Sequence, residues 1–267
     1  MRLLWPAVLV LATSCGVADS GTLPVVAGPV GAPPEVTIPP GKPGRTPRVV
    51  LLSHGAGRRT MPGDVVLADV EIRRWSGNEP HLSTYEVNQP VTVVFDGRAV
   101  PRTWQEALIG RAAGSRVLLV GPAVQTLGPD MRLDGVPPAE TLVVVFDIIG
   151  GYPPDARLVG RPLPTVPADL TPAAPARTLI GGSGAEVMPG DKIVIQYVAA
   201  SWPTREVVDS SYKRGGPSAY RLTPDTVPPG WVDGLRGQRV GGRVAIGSPT
   251  SSRGEPTLYV IDILDAL

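Results

Sequence analysis

The sequence is short of the residues on which most enzyme chemistry depends. Its 267 residues include one cysteine, Cys15, and two histidines, His54 and His81. A single cysteine excludes an intrachain disulfide, a CxxC redox pair and a cysteine-built metal centre. Two histidines leave little for a zinc site or a Ser–His–Asp triad, so no metal and no cofactor is expected. Charge is also scarce. Only 18% of residues are charged, and 25 basic against 24 acidic side chains leave a net +1. No basic stripe points to nucleic acid, and no acidic block points to a solvating tail. Aromatics make up 5%, so the few that recur at matched positions are informative. The apolar run from Leu3 to Leu11 is far short of the roughly 20 residues that span a bilayer as a helix.

That run has another reading. Arg2 gives a positive start, Ala12-Thr13-Ser14 are small, and Cys15 follows at once, the layout of an export signal. Leu11-Ala12-Thr13-Ser14-Cys15 resembles a bacterial lipobox, which implies lipidation of Cys15 and a membrane anchor. Ala12 stands where that motif usually has a larger aliphatic residue, and ordinary cleavage before Cys15 is the alternative. Acyl chains anchor by burying CH₂ groups, at about 0.8 kcal/mol each. The protein is thus expected to be exported and to sit on the extracytoplasmic face of the cell membrane. Residues 1–15 are the signal, and 16–47, rich in Gly and Pro with almost no charge, read as a semi-extended tether.

Proline and glycine are abundant, at 32 each, but the prolines gather between patterned segments. Shifting the chain by 127 residues against itself explains the pattern. Met61-Pro62-Gly63-Asp64 falls on Met188-Pro189-Gly190-Asp191. Trp75 meets Trp202, Tyr85 meets Tyr212, Trp104 meets Trp231, and Arg116-Val117 meets Arg243-Val244. From Leu52 to Pro122 no gap is needed, and 21 of 71 positions are identical. The expected architecture is therefore a first domain at 48–150, a Pro-rich linker at 151–175 stiffened toward polyproline II, and a second domain at 176–267. Within each copy, β-branched runs bounded by turn residues predict strands. The prolines at 101 and 228–229 suit the first turn of a short helix, with Trp104 and Leu108, or Trp231 and Leu235, on one face.

The string Gly190-Asp191, Tyr197, Val208-Asp209-Ser210-Ser211-Tyr212, Arg214, Pro217, Val227-Pro228-Pro229-Gly230-Trp231 and Gly234-Leu235-Arg236-Gly237 resembles the FKBP-type peptidyl-prolyl isomerases over all of 176–267. Through the repeat, the resemblance extends to 48–150. It implies an α+β fold of two tandem FKBP-like domains, each a bent antiparallel sheet wrapped on one short helix. It also implies a pocket in the second copy with Trp231 as floor, Tyr197 and Asp209 at the rim as catalytic residues, and Tyr220, Val227 and Tyr259 as substrate-binding walls. In the first copy Val100 and Trp104 stand as remnants of that pocket.

Such a site suits the composition. Rotating an X-Pro amide meets a barrier of roughly 20 kcal/mol because rotation destroys resonance. No nucleophile is needed: a dry apolar pocket favours the twisted amide, and a few hydrogen bonds hold the flanking carbonyls. Taken singly, Trp231 reads equally as a core residue, Asp209 as a turn residue and Tyr197 as an edge-strand aromatic; their joint spacing favours a site. Both copies depart from the family pattern. Val208 replaces an aromatic, Pro228 and Pro101 have no N–H to offer a ligand, and the second copy has a shortened loop before its last strand. The first copy has Val70 for the tyrosine and His81-Leu82 for phenylalanine-aspartate. Two functions fit: a membrane-tethered monomeric prolyl isomerase of reduced turnover, acting on proline-containing segments of exported proteins, or a non-catalytic chaperone with two degenerate pockets.

Overall fold

The computed structural model describes residues 22–95, 100–127, 134–202, 204–250 and 254–267. The export signal and Cys15 lie outside the described residues. A small hairpin, β1 (Val25–Ala27) and β2 (Glu35–Thr37), comes first. The first domain follows with β3 (Arg48–Ser53), β4 (Val65–Arg74), β5 (Pro80–Ser83), helix α1 (Thr84–Val87), β6 (Val91–Val94), helix α2 (Arg102–Leu108), β7 (Arg116–Pro122), helix α3 (Ala123–Thr126) and β8 (Thr141–Tyr152). The second domain has β9 (Arg177–Ile180), β10 (Lys192–Ser201), β11 (Val207–Ser210), β12 (Ser218–Arg221), helix α4 (Trp231–Leu235), β13 (Arg243–Ser248) and β14 (Thr257–Ala266).

The two sheets have the same antiparallel order, β3-β7-β8-β4-β5 and β9-β13-β14-β10-β11, with β6 and β12 joining β4 and β10. Each sheet carries one short helix against its concave face, so the tandem α+β expectation holds. The repeat reaches fine detail. Thr84 Oγ1 accepts the Val70 amide at 2.8 Å, and Ser211 Oγ accepts the Tyr197 amide at 2.8 Å. Gly55 and Gly182 sit where an added Cβ would lie 2.0 and 2.2 Å from the carbonyls of Ala113 and Arg239, so no side chain fits at either.

Along β7 and β8, Val117, Leu119, Val144 and Phe146 face Trp104 in the concave core. The residues between them, Leu118, Val120, Val143 and Val145, form a second cluster on the opposite face. That face needs a cover, and Leu23, Val26, Val36 and Ile38 supply it. Residues 22–47 are therefore not a free spacer, and the tether expectation is corrected there. The buried Arg116 clamps this cover. It bonds Asp147 at 2.6 and 2.7 Å and donates to the carbonyls of Gly28, Pro29 and Ala32 at 2.9 Å each. Tyr85 donates to the same carboxylate at 2.7 Å.

The second domain repeats the device with the linker. Val166, Leu170 and Ala174 pack on Ala245, Leu258 and Val260. Arg243 pairs with the buried Asp262 and donates to Pro162 O at 2.8 Å, and Tyr212 donates to Asp262 at 2.8 Å. The Pro-rich linker between the domains thus packs as a cover on the second sheet.

The domains also touch. Val65, Leu67 and Ile149 bury against Val194 and Ala219. Lys192 pairs with the buried Asp69 across the junction, and Tyr152 donates to Asp265 at 3.0 Å. Among the described residues, no helix is long and apolar enough to cross a membrane.

Candidate active site

One cavity of about 330 Å³ opens on the concave side of the second sheet. Its floor is Trp231, the first residue of α4. Gly230 precedes it with φ at 88°, a left-handed turn that suits glycine and drops the indole onto the sheet. Tyr197 on β10, Tyr220 on β12 and Tyr259 on β14 stand around Trp231 at centroid distances of 5.9, 5.9 and 5.2 Å. All three contacts are edge-on, at 73–83°, the arrangement that aromatic quadrupoles favour. The strand register accounts for this box: Tyr259 pairs with Ala199, two residues from Tyr197, so both rings point to one face.

The rim is polar. The Tyr197 hydroxyl donates to Asp209 Oδ2 at 2.7 Å and accepts from Arg214. Arg214 Nε meets Asp209 Oδ1 at 2.9 Å, and the guanidinium lies 5.5 Å from the Tyr197 ring centre. Burial is the main cause that pushes the Tyr197 phenol well above its ordinary value, so it stays a proton donor at any physiological pH. The cavity is thus apolar at its floor, with one tightly bonded Tyr–Asp–Arg cluster at its mouth.

Five of the expected residues, Tyr197, Asp209, Tyr220, Trp231 and Tyr259, share this lining. Val227 is buried in the core cluster behind it, while its neighbours Thr226 and Pro228 reach the cavity. Arg214 appeared in the sequence motif without a role; it braces Tyr197 and Asp209. Gln89 also lines the cavity, although it belongs to the first domain.

Among the described residues, the first domain has no matching aromatic box. The positions of Tyr197, Tyr220 and Tyr259 hold Val70, Val93 and Val144, and that of Asp209 holds Leu82. Phe146, where the second copy has Ile261, comes up against Trp104 at 4.9 Å and 81°. Trp104 packs into the core cluster with Phe146. Val100 packs against the core cluster that holds Trp104 and also lines an open groove of about 520 Å³ on the outer side of α2, with Pro62, Phe95 and Ile109. The groove is lined by Val100 but not by Trp104; valines stand where the second copy has tyrosines, and Phe146 fills the space beside the indole. Although larger, the outer groove has neither the aromatic floor nor the bonded rim.

Fold and site define a tandem protein of two like domains, with an aromatic pocket in the second. Comparison with known proteins agrees. Residues 184–252 match the family model for FKBP-type peptidyl-prolyl cis-trans isomerase. The "Probable FK506-binding protein" of Corynebacterium glutamicum is 30% identical over 116 residues, 39% of this chain and 93% of that protein. The peptidyl-prolyl cis-trans isomerase FPR2 of Saccharomyces cerevisiae is 38% identical over 66 residues, 25% of this chain and 49% of that protein. The FK506-binding protein of Streptomyces anulatus is 34% identical over 77 residues, 29% of this chain and 59% of that protein. The chain belongs to the FKBP-type peptidyl-prolyl cis-trans isomerase family.

Proposed function

We propose that the second domain is the catalytic unit, a prolyl isomerase of modest turnover, and that the first domain is a non-catalytic companion. The carrying observation is the Tyr197–Tyr220–Trp231–Tyr259 box with Asp209 and Arg214 at its rim. A prolyl ring fits the apolar floor, and the flanking amide loses water as the ring goes in. The planar amide is the more charge-separated form, so the dry box destabilises it relative to the twisted one. Arg214, braced by Asp209 and the Tyr197 hydroxyl, places N–H groups at the mouth, where the flanking carbonyls would lie. Pro228, on the same lining, has no N–H to add, which is the ground for reduced turnover. The test is a protease-coupled proline isomerisation assay on the full chain, with FK506 as competitor, since two relatives are named for binding it. Turnover lost in Asp209→Leu and blocked by FK506 supports the reading. A wild-type rate equal to the uncatalysed one replaces it with the binding-module reading.

The small residues before Cys15 support lipidation and a position on the outer face of the cell membrane, with unfolded exported chains as clients. Wild type should partition into detergent, and Cys15→Ala should move to the aqueous phase. A wild type that stays aqueous with an unmodified N-terminus overturns the anchor.

A further inference from the structure

Resting on that reading, we infer that the catalytic pocket is a two-domain site, in which Gln89 of the first domain holds the backbone of the bound peptide. Gln89 lines the cavity together with Asp209, Arg214 and Pro228. Its placement follows from local structure. Helix α1 ends at Asn88, in the left-handed region with φ at 50°, and the amides of Asn88 and Gln89 both return to Thr84 O. Pro90 follows, buried. The backbone at Gln89 is therefore fixed, and this exposed residue lines the cavity of the second domain.

The junction between the domains is set by the same repeat position. Gln89 corresponds to Gly216 in the second copy. An added Cβ at Gly216 would sit 2.9 Å from Val65 Cγ2 and 3.0 Å from Pro154 Cα. One copy thus has no side chain where the first domain approaches, and the other has a glutamine that lines the pocket. The Lys192–Asp69 pair and the Val65–Leu67–Ile149–Val194–Ala219 cluster hold that approach.

The chemistry makes the carboxamide useful. Three hydroxyls of the lining are already committed inside the protein: Tyr197 to Asp209, Thr226 to Arg221 O, and Thr257 to Glu255 O. Pro228 donates nothing. Among the described residues, no hydrogen bond engages the Gln89 side chain. It carries two N–H donors and a carbonyl acceptor, the pair that a peptide unit flanking the proline requires once it is desolvated.

The test uses the full chain and a proline-containing tetrapeptide anilide. Gln89→Leu keeps the bulk and removes the hydrogen bonds. A contact made equally to planar and twisted amide changes KM and leaves kcat alone, so KM should rise about threefold to tenfold. The Gln89 side-chain amide resonance should shift in wild type as the peptide saturates. The inference is overturned, with the isomerase reading intact, if turnover is normal and either the KM of Gln89→Leu stays within about twofold or that resonance does not move. A wild type that neither binds nor turns over the peptide overturns both.

Discussion

At the residue scale, the second copy's site was legible because its parts are rare. With aromatics at 5% of the chain, three tyrosines and a tryptophan at family spacing are hard to attribute to chance, and the strand register then brings them to one face. Arg214 was harder to read, since an arginine after a turn usually ends in solvent; only the fold shows it clamped between Tyr197 and Asp209. Gln89 was illegible, because its partner surface lies in another domain. The buried phenols allow a pH prediction. Four of six tyrosines, Tyr85, Tyr152, Tyr197 and Tyr212, are held above the ordinary value of 10.0, burial being the leading cause in each. A raised folded value means stability that is complete below pH 10 and lost as pH climbs above it, where only the unfolded chain ionises these groups. Isomerase turnover should therefore stay flat from neutrality to about pH 10, and spectrophotometric titration should show most tyrosinate appearing together with unfolding. Ionisation of Tyr85, Tyr152, Tyr197 and Tyr212 at pH 10 in a chain still folded and active would count against their burial. Asp209→Leu removes the acceptor that holds the Tyr197 hydroxyl and Arg214 at the rim, so turnover should fall about tenfold or more, with little change in melting temperature because Asp209 is partly exposed.

At the element scale, the strands and short helices followed from β-branched runs and proline punctuation, but the covers did not. Residues 16–47 and 151–175 have the composition of linkers, and composition alone cannot show that a neighbouring sheet needs them. A signal was nevertheless present. The runs Val117-Leu118-Leu119-Val120 and Leu142-Val143-Val144-Val145-Phe146 lack the polar alternation of a sheet with one wet face, and such runs mark strands buried on both sides. The clamp tests this. Arg116 is 3% and Asp147 2% exposed at the side chain, and removing one member of a buried pair costs about 3–5 kcal/mol. Arg116→Met should lower stability by that amount and make the β1–β2 hairpin sensitive to protease, as measured by denaturant melts and limited proteolysis. A hairpin equally protected in the variant would mean that Leu23, Val26, Val36 and Ile38 hold it unaided.

At the scale of the whole molecule, the internal repeat made the two domains visible and left their relation open. A repeat predicts that copies share a fold; it carries nothing on whether they dock, because docking depends on the outward residues, where the copies differ most. Val65 and Leu67 face Val194 across the junction from strands whose other faces fill two separate cores. Burying a valine or leucine contributes about 1.5–3 kcal/mol each, enough for the small cluster to hold two halves that the linker already keeps close. The linker offers a way to ask whether it is needed. Val159 is 98% exposed, so a protease site placed beside it can be cut without disturbing Val166 and Leu170 in the cover. After cleavage the halves should still migrate together on gel filtration and keep full isomerase turnover. Asp69→Lys sets two cations side by side at Lys192, and like charges at that distance repel; the cleaved variant should separate. If the uncut variant also loses affinity for the proline peptide while its tryptophan fluorescence stays native, the pocket depends on the first domain being in place. Halves that part in the cleaved wild type would mean that only the covalent linker keeps the domains together.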